Sequence, residues 1–290
     1  MTTRSSEPRN VSLKAVRVTS RVLTYIIVIV AALVCVLPFL WMVSTAFKGP
    51  SEIYKIPLSF IPDNPTLDNF TEGWKYADFS LYTRNTVIIT VSATIGTIIS
   101  SALVAYGFSR FNARLKGFLF TLLLATMMLP AQVILIPQYI LFNKSGFVDT
   151  PLPMIIPAWL GGGAFNIFLF IQFFNSIPRE LDDAARIDGA GSFQVFARIL
   201  LPSVKPVVMA IGVMSFVFHW NDFFQPLVYL NSEKWFTIAI GLQFFKSGYG
   251  NTQIGMMMAV SLLTLLPVLI IFFIFQRYFV EGIKLSGLKG

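Results

Sequence analysis

The sequence predicts an all-α polytopic membrane protein with six transmembrane helices, and three observations carry that prediction. Of 290 residues, 55% are hydrophobic and only 12% charged, with a mean hydropathy of +0.71, whereas soluble domains carry roughly 25% charged residues. Six runs stay apolar for about 20 residues, the length that crosses a bilayer at 1.5 Å per helical residue. Lys and Arg are also unevenly divided between the connecting segments. With the amino terminus inside, the inner segments hold 15 of the 22, so the positive-inside rule places both termini in the cytoplasm.

The runs are 22–47, 86–108, 117–142, 152–174, 207–224 and 256–275. Residues 1–21 are then a cytoplasmic head, 22–276 a membrane domain that includes a cytoplasmic loop at 175–206, and 277–290 a cytoplasmic tail. The first run, about 26 residues, is too long for the 7–15-residue core of a cleaved signal peptide. The net charge of +8 comes from singly scattered residues, which argues against a nucleic-acid surface. Cys35 is the one cysteine, so no intrachain disulfide and no cysteine metal cage can form.

Within the runs, Ser92, Gly96 and Ser100 recur every four residues, the spacing at which small side chains let helices approach closely in lipid; packing inside this chain is the expected use. Pro130 and Pro137 interrupt the third run. Pro157 with Gly161, Gly162 and Gly163 interrupts the fourth, and freed backbone groups then need partners or a wet cavity.

The loop RELDDAARIDGAGSFQVFARILLPSVKP at 179–206 is too polar to cross the membrane and reads as two short helices. Pro178 suits a first helical turn, and Glu180, Asp182 and Asp183 place negative charge at the positive end of the helix dipole. Gly189 and Gly191 end the first helix near Asp188. Ser192 is expected to cap the second, whose Phe193, Phe196, Ala197 and Leu200 fall on one face. Small Ala184 and Ala185 would let the first helix sit deep in a groove of a soluble partner.

This loop resembles the "EAA" loop of ABC importer permeases: Asp183, Ala184, Ala185, Gly189, Ile199, Leu201 and Pro202 stand at the family's spacing, with Asp183 in place of the usual Glu. The segments FLFIQFFNSIPRE, HWNDFFQPL and QRYFVEGIKLSGLKG resemble the maltose-type, carbohydrate-uptake class, and its smaller six-span permease in particular. The resemblance implies the type I importer permease fold in a bacterial inner membrane, and a coupling helix, including Glu180 and Asp188, that docks in a cleft of an ATPase subunit. It also implies a second, unlike permease, two ATPase subunits and an extracytoplasmic solute-binding protein, working by alternating access. ATP and Mg would be held by the ATPase subunits, and this chain would bind no cofactor.

The residues themselves agree with a non-enzymatic role. No G-x-x-x-x-G-K-[ST] phosphate loop is present, and His219 is the one histidine, so nothing suggests hydrolysis or a metal centre. Polar side chains in spans are costly and mark a candidate solute path: Gln132, Gln138, Asn166, His219, Trp220, Asn221 and Asp222. Amides and carboxylates suit sugar hydroxyls and Trp suits a sugar face, although the same groups could equally bond neighbouring helices. An importer of glycerol phosphate or a related polyol phosphate is an alternative, for which an arginine in the path would be expected, and the spans have no central one. A gradient-driven secondary transporter would be expected to carry mid-membrane ionisable groups.

Overall fold

A computed structural model describes the backbone of residues 10–246 and 252–287, with side chains from 18 to 246 and 252 to 276. All secondary structure among the described residues is helical. The first nine residues of the head, the last three of the tail and the side chains of 277–287 lie outside the description. The chain divides into two compact units, Met1–Gly73 with Gln253–Leu262, and Trp74–Thr252 with Leu263–Gly290.

The first unit contains α1 (Asn10–Ala46) and the start of α2 (Asp68–Tyr76). From 18 to 40, α1 is exposed on every face, as expected for a helix that is apolar all round and meets lipid or another chain rather than its own. The loop after it is held by polar ties. The Lys48 ammonium lies 4.5 Å from the Trp41 ring centre and donates to the Ser59 carbonyl. Asn69 Nδ2 donates to the carbonyls of Ala46 (3.0 Å) and Lys48 (2.7 Å).

The second unit is built around α3 (Phe79–Arg110), whose first turn is capped by the Asp78 carboxylate accepting from Leu81 N at 3.0 Å. After it come α4 (Lys116–Thr126), α5 (Ala131–Lys144), α6 (Leu152–Trp159), α7 (Ala164–Ser176), α8 (Glu180–Ile187), α9 (Ser192–Ser203), α10 (Lys205–Trp220) and α11 (Phe224–Tyr229). The last helix, α12 (Ile254–Gly287), runs through both units.

Among the described residues, four helical stretches are long and apolar enough to cross a membrane, one of them made of α6 and α7 together, and up to six spans result if each of two bent pairs counts as one. The third run is not a single straight helix: α4 and α5 meet at 101°. Pro130 at the break has no N–H to donate and pushes the residue before it out of the α region, so the helix stops there. The fifth run also departs from expectation, since α10 ends at Trp220 and the chain turns before α11. In the fourth run α6 and α7 are joined through Gly161, Gly162 and Gly163, all at positive φ (124°, 66° and 91°), which only glycine adopts cheaply.

The small-residue stripe on α3 packs within the chain. A Cβ on Gly96 would lie 2.5 Å from the Trp159 ring, Trp159 Nε1 donates to Ser92 O (3.1 Å), and Ser100 Oγ donates to Ala158 O (2.7 Å). Below it, Ala102 and Ala105 of α3 meet Phe170 and Phe174 of α7, Val195 and Leu200 of α9, and Ile211 of α10 in one buried cluster. In lipid such a cluster is held by close van der Waals packing rather than by escape from water.

Candidate coupling loop and translocation cavity

In the loop, α8 ends at Ile187 and Gly189 takes φ +85°, as the glycine stop requires. Glu180, Asp183, Ala184, Asp188 and Gly189 are exposed, Ala185, Ile199 and Leu201 are half-buried, and Pro202 is exposed. Leu181 and Ile187, the latter 87% exposed, add an apolar patch to this outer side. Asp182 stands in the first turn of α8 as expected, but it is buried there: it is 4% exposed, and its Oδ2 lies 2.6 Å from Nε of Arg110.

The second helix differs in two details. Gly191, not Ser192, is the N-cap, with its N–H donating to Gln194 Oε1 at 2.9 Å, while the Ser192 carbonyl accepts from Tyr106 Oη at 2.9 Å. A π turn over Phe196–Leu200 then inserts one residue into the helical repeat. Phe196 and Leu200 are buried as expected, with Val195 beside them, whereas Phe193 in the first turn is 71% exposed.

Where the fourth run breaks, residues of α3, α6, α7, α10 and α11 line a half-open cavity of about 420 Å³. Its lining joins the polar Thr97, Asn166, Ser215, His219 and Gln225 to an apolar surface that includes Met154, Pro157, Met214 and Phe218. Among the described residues, no Lys, Arg, Asp or Glu lines it. Asn166 Nδ2 donates to Gly162 O at 2.7 Å, which fixes the amide against the glycine turn. Ser215 Oγ is buried without a hydrogen-bond partner, and the Phe218 ring stands edge-on to His219 at 5.1 Å. A buried hydroxyl left unpaired costs free energy, and a polar ligand entering the cavity would relieve it.

The expected path residues therefore separate. Asn166 and His219 reach the cavity. Trp220 does not line it: the indole is buried, stacks on Phe216 at 5.3 Å and donates from Nε1 to Thr264 O at 3.0 Å, which ties α10 to α12. Asn221 bonds back to Val217 O (2.9 Å), and Asp222 caps α11 by accepting from the N–H groups of Phe224 and Gln225 (3.1 and 3.2 Å). Gln132 is exposed, and Gln138 lines a different cavity with Phe142 and Leu160. Sequence reasoning missed Thr97, Ser215 and Gln225. Ser215, a lone hydroxyl inside GVMSFVF, carried the signal that polar groups within spans are costly.

Outside the spans, Asp149 sits at φ +62° and clamps two loops. Its Oδ1 accepts from Asn231 N (3.0 Å) and Ser232 N (2.8 Å), and its Oδ2 from Ser232 Oγ (2.6 Å). Donation by the Ser232 hydroxyl, followed by the two backbone N–H bonds, holds the carboxyl below its ordinary value.

Residues 95–285, which include both loop helices and every cavity residue, match the family described as the binding-protein-dependent transport system inner membrane component. The chain belongs to this family. It is thus a multi-pass membrane component of a transport system. It is 33% identical over 282 residues to the arabinooligosaccharides transport system permease protein AraQ of Halalkalibacterium halodurans, covering 94% of this chain and 99% of that one. Its identity to the maltodextrin transport system permease protein MdxG of Bacillus subtilis is 31% over 278 residues, covering 94% and 98%. The fold matches a chain of a bacterial ABC transporter involved in the import of the acidic polysaccharide alginate, with a TM-score of 0.80 at 21% identity over 94% of this chain and all of the other. The inner membrane component thus has full-length relatives and a full-length fold counterpart, all of them transport proteins.

Proposed function

We propose that this chain is one of two unlike permease subunits of an ATP-driven importer, and that its cargo is a neutral oligosaccharide. The observation that carries the cargo class is the cavity: it combines two amides, two hydroxyls, an imidazole and an aromatic ring, with no charged side chain among the described residues. Sugar hydroxyls exchange hydrogen bonds with such groups and sugar faces pack on rings, whereas a phosphate or an acidic sugar would call for Arg or Lys. The oligosaccharides named for AraQ and MdxG support the same class.

In this reading both termini are cytoplasmic, the exposed side of α8 from Glu180 to Gly189 docks in a cleft of an ATPase subunit, and an extracytoplasmic binding protein delivers the solute. Two ATPase subunits hold ATP and Mg; this chain binds neither. Their closure on ATP moves α8 and changes which side of the membrane the cavity faces, through contacts that differ between the two states.

The test is ATP hydrolysis by the reconstituted complex over a panel of oligosaccharides and glycerol phosphates, with and without binding protein. Stimulation by a neutral sugar, abolished by Gly189→Asp without loss of expression, is the expected result. Stimulation by polyol phosphates alone would overturn the cargo class, and unchanged uptake in Gly189→Asp would overturn the docking role of α8.

A further inference from the structure

The cytoplasmic loop is tied to the last turn of α3 more tightly than a connecting segment requires. Arg110, the final residue of α3, is 3% exposed at its side chain; its Nε faces Asp182 of α8 at 2.6 Å, and its Nη2 donates to the Ile177 carbonyl at 3.0 Å. In return, Arg179 Nη2 donates to Ser109 O (3.2 Å), and Tyr106 Oη donates to Ser192 O at the start of α9 (2.9 Å). Residues 106–110 therefore grip the loop at its entry, inside its first helix and at the start of its second. The opposite side of α8, with Leu181, Asp183 and Ile187, is bare.

Stability does not account for a buried ion pair at this place. Desolvating both charges consumes most or all of the Coulomb gain, and apolar residues of similar size are often as stable or more so. Neither Asp182 Oδ1 nor Arg110 Nε has a hydrogen-bond partner, so the pair is a charge contact and the desolvation is only partly compensated. The pair does supply a fixed geometry, because one rigid guanidinium plane is anchored through Nη2 on the Ile177 carbonyl while its Nε edge faces the Asp182 carboxylate, two directions that an ammonium cannot hold.

The far end of the same helix explains what that geometry serves. Thirteen residues up α3, about 20 Å at 1.5 Å per residue, Thr97 forms part of the cavity wall. There the helix is seated against the glycine break: a Cβ on Gly162 would lie 2.5 Å from Thr97 O, and Ser100 Oγ donates to Ala158 O. We infer that Arg110 is a positioning residue that makes α8 and α3 one rigid lever, through the Arg110–Asp182 pair, so that a displacement imposed on α8 by the ATPase subunit reaches the cavity wall at Thr97 and Gly162. The inference rests on the proposed docking of α8. It adds the route, which is a packed helix with a charged joint at one end and a glycine seat at the other.

The first measurement follows the lever directly. In a Cys35→Ala background, which frees the chain of its one cysteine, spin labels at the exposed positions Phe193, just past the docking stretch of α8, and Phe111 report the distance between the loop helices and the end of α3 in the reconstituted complex. The distance stays constant between nucleotide-free and ATP-trapped states if the loop and α3 move together; a change of more than about a turn's rise, roughly 5 Å, overturns the lever. The second measurement is the ATP hydrolysed per solute imported, taken per assembled complex so that a folding loss does not register. Arg110→Lys, which keeps the charge but not the fork, is expected to raise that ratio at least tenfold, as is Arg110→Met with Asp182→Leu. An apolar double variant that imports at the wild-type ratio overturns the inference while leaving the proposed function standing. A wild-type complex with no solute-stimulated hydrolysis overturns both.

Discussion

Replacing Gly162 by alanine separates two costs that the break in the fourth run imposes. Gly162 sits at φ +66°, and a Cβ there would lie 2.5 Å from Thr97 O and 2.9 Å from both Ser100 Oγ and Thr97 Cα. Gly146, after α5, takes nearly the same dihedral, φ +71°, with nothing within 4 Å of its would-be Cβ. Left-handed backbone costs an L-residue about 1–2 kcal/mol, and both positions incur it. Only Gly162 also incurs overpacking, since Thr97 O is backbone of α3 and cannot swing away; that adds about 1–3 kcal/mol. Gly146→Ala should therefore lose about 1–2 kcal/mol and Gly162→Ala about 2–5 kcal/mol. At about 2–4 °C per kcal/mol for a chain of this size, half-inactivation temperatures in detergent should fall by a few degrees and by roughly 5–15 °C. Equal losses at the two positions would refute the claim that the seat between Thr97 and Gly162 is tight. In the surviving Gly162→Ala complex, solute KM should also rise while that of Gly146→Ala does not.

Other substitutions test neighbouring parts. Ser215→Ala removes a buried hydroxyl that has no hydrogen-bond partner within the protein, so the complex assayed without sugar should melt higher, by up to the equivalent of about 1–3 kcal/mol, while KM for the sugar rises; a fall in melting temperature would show that the hydroxyl is already bonded. Asn166→Ala loses an amide set against the glycine turn, and at about 1 kcal/mol per hydrogen bond KM should rise roughly fivefold with expression unchanged. Gly96→Ala drives a Cβ into the Trp159 ring and should break the Trp159 bond to Ser92 O, seen as a change in indole fluorescence and a loss of about 1–3 kcal/mol. For Asp149, whose folded carboxyl is held below the usual 3.8, the clamp contributes fully above the unfolded value and is lost as pH falls through the lower folded one. Proteolysis of the loop near Ser232 should then accelerate below about pH 4 in the wild type, and Asp149→Asn should be cut rapidly at every pH.

The sequence disclosed most of what depends on neighbours along the chain. Apolar length set the spans, Pro130 and the three glycines marked the breaks, and the spacing from Asp183 to Pro202 marked the loop. It disclosed less where distant residues meet. Thr97, Asn166, Ser215 and Gln225 lie in four different segments, and only the packing of α3 against α6, α7 and α10 makes them one cavity. The same limit explains Asp182, which as a helix N-terminal acid reads as solvated until Arg110 is seen to bury against it. Trp220, Asn221 and Asp222 show the converse: adjacent polar letters that look like one site serve three separate structural roles.

Arg110 and Asp182 also have a history set by the order of synthesis. Seventy-two residues separate them, so at about 5–20 residues per second the arginine waits roughly 4–14 seconds for its partner. During that interval its charge is solvated and, on the orientation proposed above, helps to hold the end of α3 on the cytoplasmic side as the later spans are threaded. Once α8 emerges, the same guanidinium is drawn out of water and sealed. One side chain thus steers insertion while the chain is unfinished and becomes a joint when it is complete, and a substitution there disturbs biogenesis and transport at different times.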